Sequence, residues 1–231
     1  DAARARLLSD LAHELRTPIA TLGAYLEGLD DGVRAWDDTT RTVLSEQVSR
    51  LSRLARDIDA VSRAEEGRLN LDLVATPISE LVESALHSHS KAYESKGVVL
   101  QVRGGPPAIV AVDVDRIQQV LTNLLLNALR HTPPGGQVML AWAVDLSHAS
   151  ISVSDTGEGI SPEQLPHVFE RFYRGDTARS WEQQGSGIGL TISRAIAEAH
   201  GGTLNAASRG LGTGSSFVLA LPGDSRKNRH L

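Results

Sequence analysis

His13 stands in the run LAHELRTPIA, with Glu14 beside it and Thr17 one helical turn further on. A neutral imidazole is a usable nucleophile above about pH 6.5. A neighbouring carboxylate can accept the ring proton or hold the reactive tautomer. Far downstream come NLLLNALRHT, DTGEGI, FERFYR and GSGIGL, in that order. Their amides, cations and glycine turns are the groups that cradle phosphates. Taken together, these residue types point to transfer of a phosphoryl group from a nucleotide to His13. A lone histidine on a helix is most often ordinary surface, so the weight rests on the company it keeps.

Helices must present the nucleophile. In residues 1–66, Leu8, Ala12, Leu15, Ile19, Leu22, Leu26 and Leu29 recur at alternating spacings of four and three. Leu44, Val48, Leu51, Ala55 and Ile58 repeat the pattern after DDGVRAWDDTT. That spacing predicts two antiparallel helices with a coiled-coil-like seam. Gly32 makes the turn, and Asp37, Asp38 and Thr39 are the N-cap candidates. One hairpin leaves its seam wet, so two are expected to pair into a four-helix bundle, a homodimer through residues 1–66. His13, Glu14 and Thr17 fall off the seam, and Pro18 removes a backbone donor just past them.

Residues 67–223 read as a second domain. LNLDLV is expected as a strand, and Pro77 opens a helix to about Ser95 with Thr76 as cap candidate. VVLQVR and AIVAV read as strands around Gly104-Gly105-Pro106-Pro107. Residues 115–131 read as a helix stopped by Pro133-Pro134, and QVMLAWAV with ASISVSD as a hairpin. Residues 162–173 are expected helical, 174–186 a loop and 188–200 a helix ended by Gly201-Gly202. GTLNAAS and SSFVLALP complete an α/β sandwich with its helices on one sheet face. The polar tail 224–231 is expected to be disordered.

Within that domain, Ile117, Val120, Leu121, Leu124, Leu125 and Ala128 form a buried helical stripe. Asn123, Asn127 and Arg130 form a polar stripe beside it. An amide oxygen is a hard ligand suited to Mg²⁺, and arginine grips phosphate. Strand alternation puts Asp155 on the face of Ile151 and Val153, where a carboxylate needs a partner; an adenine amino group is a suitable donor. Gly157 and Gly159 allow close backbone approach. GSGIGL opens a helix whose first N–H groups suit an anion. It lacks the lysine of a Walker A loop and the spacing of a dinucleotide fingerprint. Arg174, in the loop between the glycine segments, is the candidate for a γ-phosphate contact.

Composition narrows the field. The 231 residues include no cysteine, which excludes disulfides and thiolate chemistry, and the net charge of −5 argues against nucleic acid as a partner. No apolar run reaches about 18 residues. The chain opens directly in helical sequence, so it is read as the cytoplasmic part of a sensor, with any membrane contact made by a segment upstream.

These motifs resemble those of the two-component sensor histidine kinases. HELRTP is similar to the H box, NLLLNALRHT to the N box, and DTGEGI and GSGIGL to the first and second glycine boxes. FERFYR resembles the F box, and GTGSSF the last glycine element. The likeness runs over about residues 3–222. It implies a dimerisation and histidine-phosphotransfer domain, then a Bergerat-type ATP-binding sandwich. It makes His13 the phosphoacceptor, Glu14 its base, and Thr17 the residue that positions water for dephosphorylating a partner. It places Asn127 on Mg²⁺ and Asp155 on adenine. The remaining nucleotide contacts fall to Asn123, Arg130, His131, Gly157, Gly159, Ile160, Phe172, Arg174, Gly185, Gly187, Gly189, Leu190 and Thr213. Arg130 stands where lysine is commoner, His131 where tyrosine or phenylalanine is, and Ile188 where leucine often is. The implied substrate is ATP with Mg²⁺, and the implied partner a response-regulator receiver domain. A partner phosphatase, a Bergerat-type ATPase without histidine phosphorylation and a nucleotide-binding scaffold stay open.

Overall fold

The computed structural model describes residues 2–65, 71–145, 148–170, 173 and 188–223, with side chains from residue 15 onward except in parts of the second helix. The chain divides into two units, Asp1–Ser62 and Arg63–Leu231.

The first unit is a pair of long helices, α1 (Ala2–Asp30) and α2 (Asp38–Glu65). α1 continues through Pro18, whose ring is buried. Asp37 caps α2, its Oδ1 accepting the Thr40 N–H at 2.7 Å. That bond holds the Asp37 carboxyl below its ordinary pKa. The connection folds back on α1: Arg34 N–H donates to Gly28 O, and the Arg34 guanidinium lies 4.0 Å above the Tyr25 ring. Along the seam, Ile19, Leu26 and Val48 are 55%, 53% and 54% exposed in the single chain.

The second unit begins with β1 (Val74–Pro77) and α3 (Ile78–Lys96). β2 (Val99–Arg103), β3 (Ile109–Val112), α4 (Val114–His131), β4 (Gln137–Val144) and β5 (His148–Asp155) follow. After the undescribed stretch come α5 (Gly189–Ala199), β6 (Thr203–Ala207) and β7 (Ser216–Pro222). Five strands form one sheet in the order β2-β4-β5-β7-β6, and β1 and β3 pair separately. β2 is parallel to β4; the other neighbours are antiparallel.

Alternation decides which sheet face is covered. Val138 and Leu140 of β4, Ile151 and Val153 of β5, and Phe217, Leu219 and Leu221 of β7 are all buried. The α4 stripe expected from the 3.6-residue period is buried in full, from Ile117 to Ala128. Each of its leucines, isoleucines and valines contributes about 1.5–3 kcal/mol on leaving water. Asp113 starts this helix by accepting the Arg116 N–H on its side chain.

Three local expectations are corrected. The first strand is not LNLDLV: residues 71–73 carry no strand, and β1 is placed by its register with β3, Val74 opposite Val112. Thr76 does not cap α3; its hydroxyl donates to Val74 O, and Pro77 occupies the cap position. The α-helix expected over 162–173 is absent from the described part, 162–170. Among these residues only a 3₁₀ turn, Leu165–His167, is regular, because Pro166 cannot donate to the Pro162 carbonyl one turn back. Both strands expected around Gly104-Gly105-Pro106-Pro107 form, β2 in the five-stranded sheet and β3 paired with β1. No helix among the described residues is long and apolar enough to cross a membrane.

Candidate functional site

Three elements of the second unit converge: the C-terminal half of α4, the turn after β5, and the turn 208–215 before β7. Asp155 closes β5 and is 8% exposed. Its Oδ1 accepts the N–H groups of Gly157 at 2.8 Å and Ser215 at 3.2 Å, and its Oδ2 accepts the Ser215 hydroxyl at 2.5 Å. A carboxylate has about four acceptor positions. Three are filled from its own turns, and one on Oδ2 is left for a donor from outside.

The turn is welded mainly through its main chain. Glu158 N–H donates to His131 O at 3.0 Å, Gly212 N–H donates to Glu158 O, and Gly214 N–H donates to Gly157 O. Gly157 backs so closely on the His131 carbonyl that a Cβ there would collide with it. Gly159 has φ of 71°, and the Gly210 carbonyl fills the space its Cβ would need. Ile160 is half-buried, with its N–H on the Ser208 hydroxyl. The ring of His131 adds a side-chain link, Nδ1 lying 3.2 Å from Glu158 Oε2. Beneath the site, the Tyr93 hydroxyl donates to Leu125 O at 2.7 Å. Burial first, and the Asp155 charge second, push the Tyr93 phenol above its ordinary value.

The polar stripe of α4 divides by role. Asn123 donates its amide to Gly189 O at 3.1 Å and the Ser193 hydroxyl at 3.2 Å, tying α4 to the first turn of α5. Its position makes it a brace between helices. Asn127, one turn on, is half-buried, and its amide makes no hydrogen bond among the described residues. Arg130 is exposed at the next turn. Gly189 and Leu190 open α5 and are half-buried.

Thr213 is brought to the site's rim, but its hydroxyl donates to Gly210 O within its own turn. The residue that reaches Asp155 is Ser215, which the sequence reading passed over. Its signal was present: in GTGSSF it directly precedes the alternating strand. Glu158 was also missed, because a carboxylate between two glycines reads as solvated surface. Phe172, Arg174, Gly185 and Gly187 lie outside the described residues. So do the side chains of His13 and Glu14, although both residues stand within α1. Thr17 is half-buried there, and its carbonyl accepts the Thr21 hydroxyl.

Two family descriptions match the chain in succession. "His Kinase A (phospho-acceptor) domain" covers residues 3–67, and "Histidine kinase-, DNA gyrase B-, and HSP90-like ATPase" covers residues 112–225. Sensor protein SrrB of Staphylococcus aureus is 34% identical over 218 residues, which make up 93% of this chain and 37% of SrrB. Among solved structures, the Acinetobacter baumannii histidine kinase AdeS superposes with a TM-score of 0.78 at 28% identity, over 92% of this chain and 98% of AdeS. The mycobacterial sensor histidine kinase MprB is 30% identical with a TM-score of 0.57, over 65% of this chain and 98% of MprB. With the ordered motifs, the turns gathered on Asp155 and these matches in agreement, the chain belongs to the sensor histidine kinases, a phospho-acceptor domain followed by a histidine kinase-type ATPase domain.

Proposed function

We propose that the chain transfers the γ-phosphoryl group of ATP to His13 and passes it on to an aspartate of a response-regulator receiver domain. The observation that carries this reading is Asp155. A carboxylate buried on an apolar strand face, with all but one acceptor position filled by its own turns, suits a single outside donor such as the adenine amino group. A hard amide oxygen on Asn127 with no hydrogen bond among the described residues, beside Arg130, fits a divalent ion that accompanies phosphates. A magnesium ion held by Asn127 would offset charge on the triphosphate.

The chain's own residues do the rest. The glycine turns admit the nucleotide against main chain, and Arg130 and Arg174 are the cations available to the transferring group. A ring nitrogen of neutral His13 attacks the γ-phosphorus, the bond to the β–γ bridging oxygen breaks, and ADP leaves. Glu14 takes the imidazole proton. The bundle is a homodimer through the exposed seam of α1 and α2, and Thr17 is the group that positions water when the phosphorylated partner is dephosphorylated. The site works on the cytoplasmic side, where ATP and the receiver domain are present.

The test is incubation with γ-³²P-ATP and Mg²⁺, wild type beside His13→Ala and Asn127→Ala. An acid-labile, alkali-stable label absent from both variants supports the proposal. ATP hydrolysis that persists undiminished in His13→Ala, with no label in the wild type, replaces it with a clamp-type ATPase.

A further inference from the structure

The last turn of an α-helix leaves four carbonyls without helical partners, and together they form the negative end of its dipole. In α4 this turn carries Arg130 and His131, beside the nucleotide site, and each of its four carbonyls has a named donor. Ala128 O accepts from the Thr132 N–H and hydroxyl, and His131 O from the Glu158 N–H. The two between them, Leu129 O and Arg130 O, accept from one ammonium: Lys96 Nζ, at 2.6 and 2.9 Å. Lys96 is the final residue of α3, half-buried and held in place by the left-handed Gly97 that follows. Among these donors it brings the only formal charge.

We propose that Lys96 is a positioning residue for nucleotide binding. It acts through the end of α4, not by touching the nucleotide. A triphosphate approaching Arg130 meets the negative pole of the helix that presents it. The Lys96 ammonium offsets that pole and holds the Leu129 and Arg130 carbonyls, and with them the start of the Arg130 side chain, in one place. The inference rests on the ATP-binding reading above and extends it to a residue on a different helix.

The experiment measures dissociation constants of adenosine, ADP and ATP for the whole chain by titration calorimetry. Wild type is compared with Lys96→Arg, Lys96→Gln and Lys96→Met at low and high salt. Lys96→Gln keeps a donor and loses the charge. The expected result is ATP binding weakened about fivefold at low salt, ADP less, and adenosine unchanged. Raising the salt shrinks the difference, and Lys96→Arg restores wild-type affinity. Equal weakening of adenosine and ATP means a purely structural cap and overturns the proposal, as does unchanged ATP binding in Lys96→Gln. If Lys96→Met does not fold, the Gln and Arg variants decide the matter on their own. A wild type that binds none of the three ligands instead refutes the ATP-binding reading itself.

Discussion

Replacing Asp155 with Asn separates recognition from folding. In the same rotamer the Asn oxygen keeps both N–H groups, those of Gly157 and Ser215. The amide nitrogen takes the place of Oδ2, and the Ser215 hydroxyl turns from donor to acceptor. The folded state exchanges charge-assisted bonds for neutral ones, at a cost of about 1 kcal/mol, or roughly 3 °C in Tm for a domain of this size. The nucleotide fares worse, because the adenine amino group now faces another donor. Losing a bond to a charged acceptor and leaving that amino group unsatisfied costs about 3 kcal/mol, close to 150-fold in affinity. Calorimetric titration with ATP measures this, with GTP as control, since guanine offers an oxygen where adenine offers the amino group. ATP binding should fall by roughly that factor while GTP loses nothing or gains. ATP affinity within about threefold of wild type, in a variant that melts normally, would refute the assignment of Asp155 to adenine.

Two further predictions concern stability and assembly. Because the Tyr93 phenol is raised above its ordinary value of 10.0, its contribution is complete below that pH and fades as pH climbs beyond it. Tyr93→Phe should therefore cost about 1 kcal/mol near neutrality and flatten the alkaline fall in Tm; an unchanged slope from pH 10 upward would contradict the burial argument. Ile19→Glu combined with Leu26→Glu removes two seam residues per protomer, each contributing about 2 kcal/mol when covered. Sedimentation velocity should report a monomer that still binds ATP, whereas an unchanged dimer would place the interface elsewhere.

What could be read from the residues divides along physical lines. The α4 stripe and the burial of Asp155 were legible because each depends on one periodicity and on neighbours within a few residues. The position of β1 was not, since four residues opposite β3 take their register from a partner more than thirty positions away. The turn at 165–167 was misread as a helix because Phe169 and Phe172 have helical spacing while Pro166 sits where a donor is required. The Phe169 ring instead packs edge-on against Phe217, 6.3 Å between centroids. That Asn123 also ties α4 to α5 was not legible, because a stripe on one helix cannot reveal which member meets another helix. Ser215 escaped notice for the complementary reason: its bond to Asp155 spans 60 positions.

The way the turn after β5 is joined to its neighbours governs what kinds of change this cluster of turns can absorb. His131, Gly157, Glu158, Gly212 and Gly214 meet through backbone N–H and carbonyl groups that every residue type except proline possesses. Most side chains along these turns can therefore be exchanged without moving the walls, and the intolerant positions are those where any side chain at all would intrude. If the proposed adenine contact holds, ligand preference is the property to alter at Asp155 and Ser215, while the glycines are left alone.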